Sequence, residues 1–188
     1  DRSELWLSES LKFTKEFCDN QGKDGGCMEG PGYGTYGADT LAKLLCVLET
    51  AGVRHALLDH PFFVSLPKYS ISLLCPNDKQ QTGFGDCWFS QPFPLCMTLL
   101  ARKGNSEAAW YLHEIGAVQC RNIEEFLTIA MKPEAFASPK RPEWNPSRAF
   151  VDVGYASLRD GFSTQAAFMA FKCGPPEQLV GHNHYDHN

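Results

Sequence analysis

Residues 133–148, PEAFASPKRPEWNPSR, hold four prolines in sixteen positions. Proline supplies no backbone N–H and fixes φ, so no helix runs through such a stretch. It reads as an ordered connector, and the texture of the chain changes across it. Before it, apolar residues recur with the spacing of helices; after it, they alternate as in strands. Helices followed by antiparallel strands imply an α+β chain with two segregated parts rather than an alternating α/β fold. The expected division is a helical portion over 1–132, the connector over 133–147, and a strand portion over 148–188.

Within the first portion, Leu5, Trp6, Leu11, Phe13 and Phe17 predict a helix, followed by a Gly- and Asp-rich loop over 19–26. ADTLAKLLCVLETAG predicts a helix capped by Asp39, with Leu41, Leu44, Leu45 and Leu48 on one face and Gly52 closing the end. PLCMTLLARKG, SEAAWYLHEIG and NIEEFLTIAMK read the same way. Beyond the connector, AFVDVGYASLRDG and TQAAFMAFKCG predict strands, with Val151, Val153 and Tyr155 alternating and Asp160-Gly161 as the turn between them. About two strands fit before the sequence stops, too few for an independent sheet.

The net charge is −5, and Lys and Arg are scattered, so the basic stripe that a phosphate backbone needs is absent. No nucleic-acid partner is expected. No apolar run approaches the roughly 20 residues of a membrane helix. DRSELWLSESLKFTKEF, starting at Asp1, has neither the basic start nor the apolar core of a signal peptide, so removal of the true start by processing or truncation is expected. Eight cysteines contain no C-x-x-C, which argues against a zinc ribbon or a thioredoxin-like site. Cys46 and Cys96 sit inside apolar helical patterns, where a thiol acts as a small core residue.

Three segments have the composition of sites. DGGCMEGPGYGTYG, residues 24–37, packs six glycines around Glu29, Tyr33 and Tyr36; it reads as a turn presenting these side chains, or as a structural loop whose tyrosines pack. It lacks the pattern of a phosphate loop. QTGFGDCWFSQPFP offers Trp88, Phe89 and Phe93 as a platform for sugar rings, against the default of core packing. In GHNHYDHN, His182 and His184 are two apart and share one face of a strand, with Asp186 continuing it. That pattern suits metal coordination or proton transfer, since neutral imidazole serves both.

Taken in order, DGGCMEGPGYGTYG, GFGD, VDVGYASLRDG with AAFMAFKCG, and GHNHYDHN resemble the heparinase II/III-like polysaccharide lyases, and also the related uronyl epimerases that act on dermatan sulfate. The resemblance spans most of the chain. It implies the C-terminal part of an (α/α) toroid followed by the truncated start of an antiparallel β-sandwich. It also implies a carbon–oxygen lyase that cleaves an acidic, uronic-acid-containing polysaccharide in the cleft between the two. The alternatives are a uronyl C5-epimerase and a non-catalytic carbohydrate-binding relative.

Carried over residue by residue, the resemblance makes His182 catalytic, and His184 a ligand of a divalent metal, usually zinc, whose other ligands lie beyond Asn188. Glu29 matches an acidic position of the family motif, while Trp88 and Asp86 stand where substrate contacts are expected. Near GFGD there are Phe84 and Trp88 but no tyrosine, so the catalytic tyrosine is sought among Tyr33, Tyr36 and Tyr69. A periplasmic or secreted location is implied for the whole protein.

Overall fold

The computed structural model describes residues 2–77, 79–88, 94–116, 130 and 138–174. Five helices, α1 (Arg2–Asp19), α2 (Gly30–Thr50), α3 (Pro61–Ser72), α4 (Leu95–Arg102) and α5 (Ser106–Ile115), precede three strands, β1 (Arg148–Phe150), β2 (Tyr155–Arg159) and β3 (Phe168–Lys172). The strands form an open antiparallel sheet in the order β1-β2-β3, with Phe150 opposite Tyr155, and Tyr155 opposite Lys172. Helices first and antiparallel strands second is the order that the connector implies.

Several helix ends follow from local chemistry. After α2, the Gly52 N–H donates to the Glu49 carbonyl and the Val53 N–H to that of Leu48, with Gly52 at φ +71°. This double closure needs a left-handed residue that glycine supplies without strain. At the start of α5, the Asn105 side chain accepts from the Ala108 N–H. Helix α3, for which the sequence reading has no counterpart, opens with Pro61 behind a His60 cap and carries Pro67 inside it. The helix expected over NIEEFLTIAMK lies outside the described residues apart from Ala130.

Other expectations need correction. Helix α2 starts at Gly30, not at Asp39. Glycine propensity argues against this, but Gly30, Gly34 and Gly37 each let something come close that a side chain would displace. A Cβ on Gly34 would land on the Cys27 side chain, so tertiary packing outweighs local preference. Asp39, fully buried, caps a different helix: its carboxylate accepts from the Leu95 N–H at 2.9 Å and the Cys96 N–H at 2.7 Å, the first turn of α4.

The sheet has three strands rather than two. Val151 and Val153 do not alternate within a strand but sit in the turn between β1 and β2, where Gly154 has φ +71° and the turn faces Gly174 at van der Waals range.

One continuous core joins helices and sheet. Phe62, Leu66, Tyr69, Leu95 and Tyr111 from the helices pack in it with Phe150, Tyr155 and Phe162 from the sheet region. Tyr69 meets Phe150 edge-on at 4.9 Å, and Trp110 meets Phe162 at 5.6 Å. Arg159 locks the layers: it donates from Nη1 to the carbonyls of Ile71 and Leu74 at the end of α3, and from Nε to that of Gly161. From the other direction, the Lys23 N–H donates to the Asp152 carboxylate. The described connector, 138–147, has neither helix nor strand, and Trp144 fastens it by donating to Glu107 at 2.7 Å.

Candidate functional site

Three of the segments singled out in the sequence meet at one seam between helices and sheet. The first is the start of α2. Glu29 precedes Gly30, whose φ of +85° turns the chain into the helix. Directly behind Gly30 stands the Tyr155 hydroxyl, 3.1 Å from where a Cβ would be, so a side chain there would be both crowded and strained by the positive φ. The second segment is the GFGD turn: Phe84 is buried with its ring 5.2 Å from Tyr155, and the Cys87 thiol meets the Tyr33 backbone. The third is the end of β3, where the Lys172 ammonium lies 5.5 Å from the centre of the Tyr155 ring. The Cys173 N–H then donates to the Gly154 carbonyl at 2.7 Å.

Tyr155 and Lys172 are additions that motif reading missed. The signal available was the alternation of β2 and β3: Tyr155, Ser157 and Arg159 are buried on the same face, and in β3 Lys172 is the buried end of an alternating pattern. The Tyr155 hydroxyl is buried without a hydrogen-bond partner, and burial raises its pKa well above that of a free phenol.

The predicted site residues separate into groups. Glu29 is partly buried at the seam. Tyr33 and Tyr36 belong to the first turns of α2 rather than to a presenting loop; Tyr33 is partly buried beside Cys87, and Tyr36 is half exposed on the outer face. Tyr69 is in the core, where its hydroxyl donates to the Cys27 carbonyl and burial drives its pKa upward, so it stays neutral and out of reach of a substrate. Trp88 is 88% exposed, as a stacking platform must be and a core residue cannot be. Asp86 beside it is exposed. Phe89, Phe93, His182, His184 and Asp186 lie outside the described residues.

No family model, curated protein or solved structure matches the chain.

Four thiols, Cys18, Cys27, Cys46 and Cys96, are buried and placed for packing rather than reaction. Burial pushes Cys18 up to about 12 and Cys46 to about 11, and raises Cys27 and Cys96 as well. A thiol held neutral is a poor nucleophile and a poor metal ligand. No two cysteines among the described residues form a disulfide. Among the described residues, no three His, Cys, Asp or Glu side chains gather to hold a metal. The zinc expectation therefore stays with His184. Nor is any helix among the described residues long and apolar enough to cross a membrane.

Beside the seam, an open groove of about 460 Å³ separates the 75–84 segment from β3. Phe84 belongs to both: it lines the groove and packs on Tyr155.

Proposed function

We propose that the protein is a polysaccharide lyase that cleaves a uronic-acid-containing glycan by β-elimination. One observation carries the reading: the Glu29-Gly30 start of α2, the GFGD turn and the end of β3, from which the GHNHYDHN stretch follows in sequence, converge on a single seam bordered by a groove.

The reaction explains the residue types. The C5–H bond beside the uronate carboxylate breaks, and its proton passes to a base. The electron pair left at C5 forms the C4=C5 double bond, the C4–O bond breaks, and the departing oxygen takes a proton from an acid. Tyrosine and histidine suit those two proton transfers. In this reading Tyr33 or Tyr36 and His182 carry them, and Glu29 assists. The negative charge gathering on the carboxylate must be met by donors fixed in advance. Trp88 stacks on a sugar ring near Asp86, and His184 would hold a divalent metal, zinc by its ligand type.

The finer architecture belongs to the same proposal. An (α/α) toroid ending in α1–α5, joined to a β-sandwich, accounts for the outward face of the sheet, where Leu158, Met169 and Phe171 are 48%, 54% and 40% exposed. A second sheet packed on that face would bury them. The polymeric, acidic substrate fits a periplasmic or secreted protein.

Ultraviolet absorbance of unsaturated uronate ends, followed with the full-length protein on a panel of uronate polymers, tests the reading; the signal should vanish in His182→Ala. Solvent deuterium at C5 without chain cleavage would replace the lyase by an epimerase. A second reading, a binding protein on the same fold, is favoured by one observation: Tyr69, Tyr111 and Tyr155 are all buried phenols with raised pKa values. It predicts glycan binding unaffected by His182→Ala and no turnover in the parent.

A further inference from the structure

Tyr155 reaches all three segments of the seam. Its hydroxyl stands 3.1 Å from where a Cβ on Gly30 would be, and the Cβ and carbonyl oxygen of Phe84 lie 3.7 Å from that same point. Its ring meets the Phe84 ring at 5.2 Å and the Tyr69 ring at 6.1 Å. In the sheet it stands opposite Lys172, whose ammonium lies 5.5 Å from the ring centre. At 1% exposure it is too buried to touch a substrate itself.

Stability does not explain the hydroxyl. It is buried with no hydrogen-bond partner among the described residues, and an unpaired buried polar group carries a cost that a plain phenyl ring avoids. What the oxygen does is fill the space behind Gly30, where a φ of +85° turns the chain into α2. Glu29, just before it, makes no side-chain cap bond that would hold this turn from within. On the other side, the Tyr33 backbone meets the Cys87 thiol, and the Cys87 N–H donates to the Phe84 carbonyl. The start of α2, with Glu29 and Tyr33, and the GFGD turn, with Asp86 and Trp88, are thus set against each other around one phenol.

We infer that Tyr155 is a positioning residue, which fixes the segment that moves the proton relative to the segment that holds the sugar. The catalytic meaning rests on the lyase reading; the alignment of the two segments rests on the packing alone. A sugar stacked on Trp88 then presents its C5 hydrogen to the start of α2 at a set distance, and a displacement of about 1 Å can cost on the order of 10²-fold in rate.

Tyr155→Phe deletes the oxygen and keeps the ring. In the full-length protein it should lower kcat on the uronate polymer cleaved fastest by roughly tenfold or more, with KM held within about twofold. The melting temperature should stay within about 2 °C of wild type. Gly30→Ala should also lower kcat, because its methyl meets the hydroxyl; in the double variant the methyl takes the place of the oxygen, and kcat should recover several-fold over Gly30→Ala. A Tyr155→Phe kcat equal to wild type, a loss that follows a falling melting temperature, or a double variant no better than Gly30→Ala overturns the inference while elimination stands. If wild type cleaves no polymer, the lyase reading fails and the alignment is judged by amide exchange. Exchange at Tyr33 and Cys87 should then quicken by roughly tenfold in Tyr155→Phe while that of Leu99 in α4 matches wild type; unchanged exchange at Tyr33 and Cys87 overturns the inference.

Discussion

The Asp39 carboxylate offers the sharpest test of how the helices are joined. It takes the N–H groups of both Leu95 and Cys96, at 2.9 and 2.7 Å, from a fully buried position. Hydrogen bonds to a charged group contribute about 1.5–3 kcal/mol each, and a buried N–H left without an acceptor costs about 1–3 kcal/mol. Against this stands the desolvation of the carboxylate, several kcal/mol, which the substitution relieves. Asp39→Ala should therefore cost about 3–4 kcal/mol net, in line with the upper range for a lost cap and a favourable helix-dipole contact. Asp39→Asn keeps one acceptor and sets an amide N–H₂ against a backbone N–H, so about 2 kcal/mol is expected. With a urea slope of about 2 kcal/mol/M, the alanine variant should unfold at roughly 1.5–2 M less urea. Circular dichroism through a urea titration measures the shift. If Asp39→Ala unfolds within ~0.5 M of wild type, α4 is capped by something else and the argument fails.

Three further outcomes follow from the packing. Gly34→Ala gains about 1 kcal/mol of helix propensity, yet its methyl meets a fully buried Cys27 that cannot move aside. Overpacking of about 1–3 kcal/mol should win, lowering the melting temperature, whereas Gly161→Ala, with open space around it, should not. Arg159→Met strands the carbonyls of Ile71, Leu74 and Gly161 and should cost roughly 2–4 kcal/mol, seen as faster amide exchange across β2.

The buried thiols set an alkaline limit. Unfolded cysteines ionise from their ordinary 9.0, while folded Cys18 and Cys46 hold their protons to about 12 and 11. The unfolded state therefore releases protons first, and stability falls as pH rises above 9. The slope of melting temperature against pH between 9 and 11 should become shallower in Cys18→Ala.

What the sequence revealed was mostly what is local. Gly52 ends α2 through hydrogen bonds within a few residues, and such a signal survives without knowledge of the fold. The beginning of α2 did not, because its glycines look like a loop until Cys27 and Tyr155 are seen pressing against them. For the same reason Asp39 was read as the cap of its own helix, when its partners are more than fifty positions away. Strand β1 escaped notice as three residues behind a proline-rich stretch. For Trp88 the sequence left a sugar platform against the default of core packing, and composition could not separate it from Phe84, which stands four residues earlier in the same Gly-rich stretch and is buried while Trp88 is exposed. Tyr155 and Lys172 stand inside VDVGYASLRDG and AAFMAFKCG, but nothing local marks them out, and strand register is what sets them opposite each other.

The tie between Lys23 and Asp152 joins residues 129 positions apart. At synthesis rates of about 5–20 residues per second, the first partner leaves the ribosome on the order of ten seconds before the second. During that interval Tyr69 has no Phe150 or Tyr155 to cover it, and the nascent helices present an apolar flank to whatever is nearby. Contacts this distant also slow folding, because loop closure precedes any reward. Yield in a host cell should therefore depend on chaperone capacity and translation speed, and a vector that truncates the strands leaves the helices without their lid.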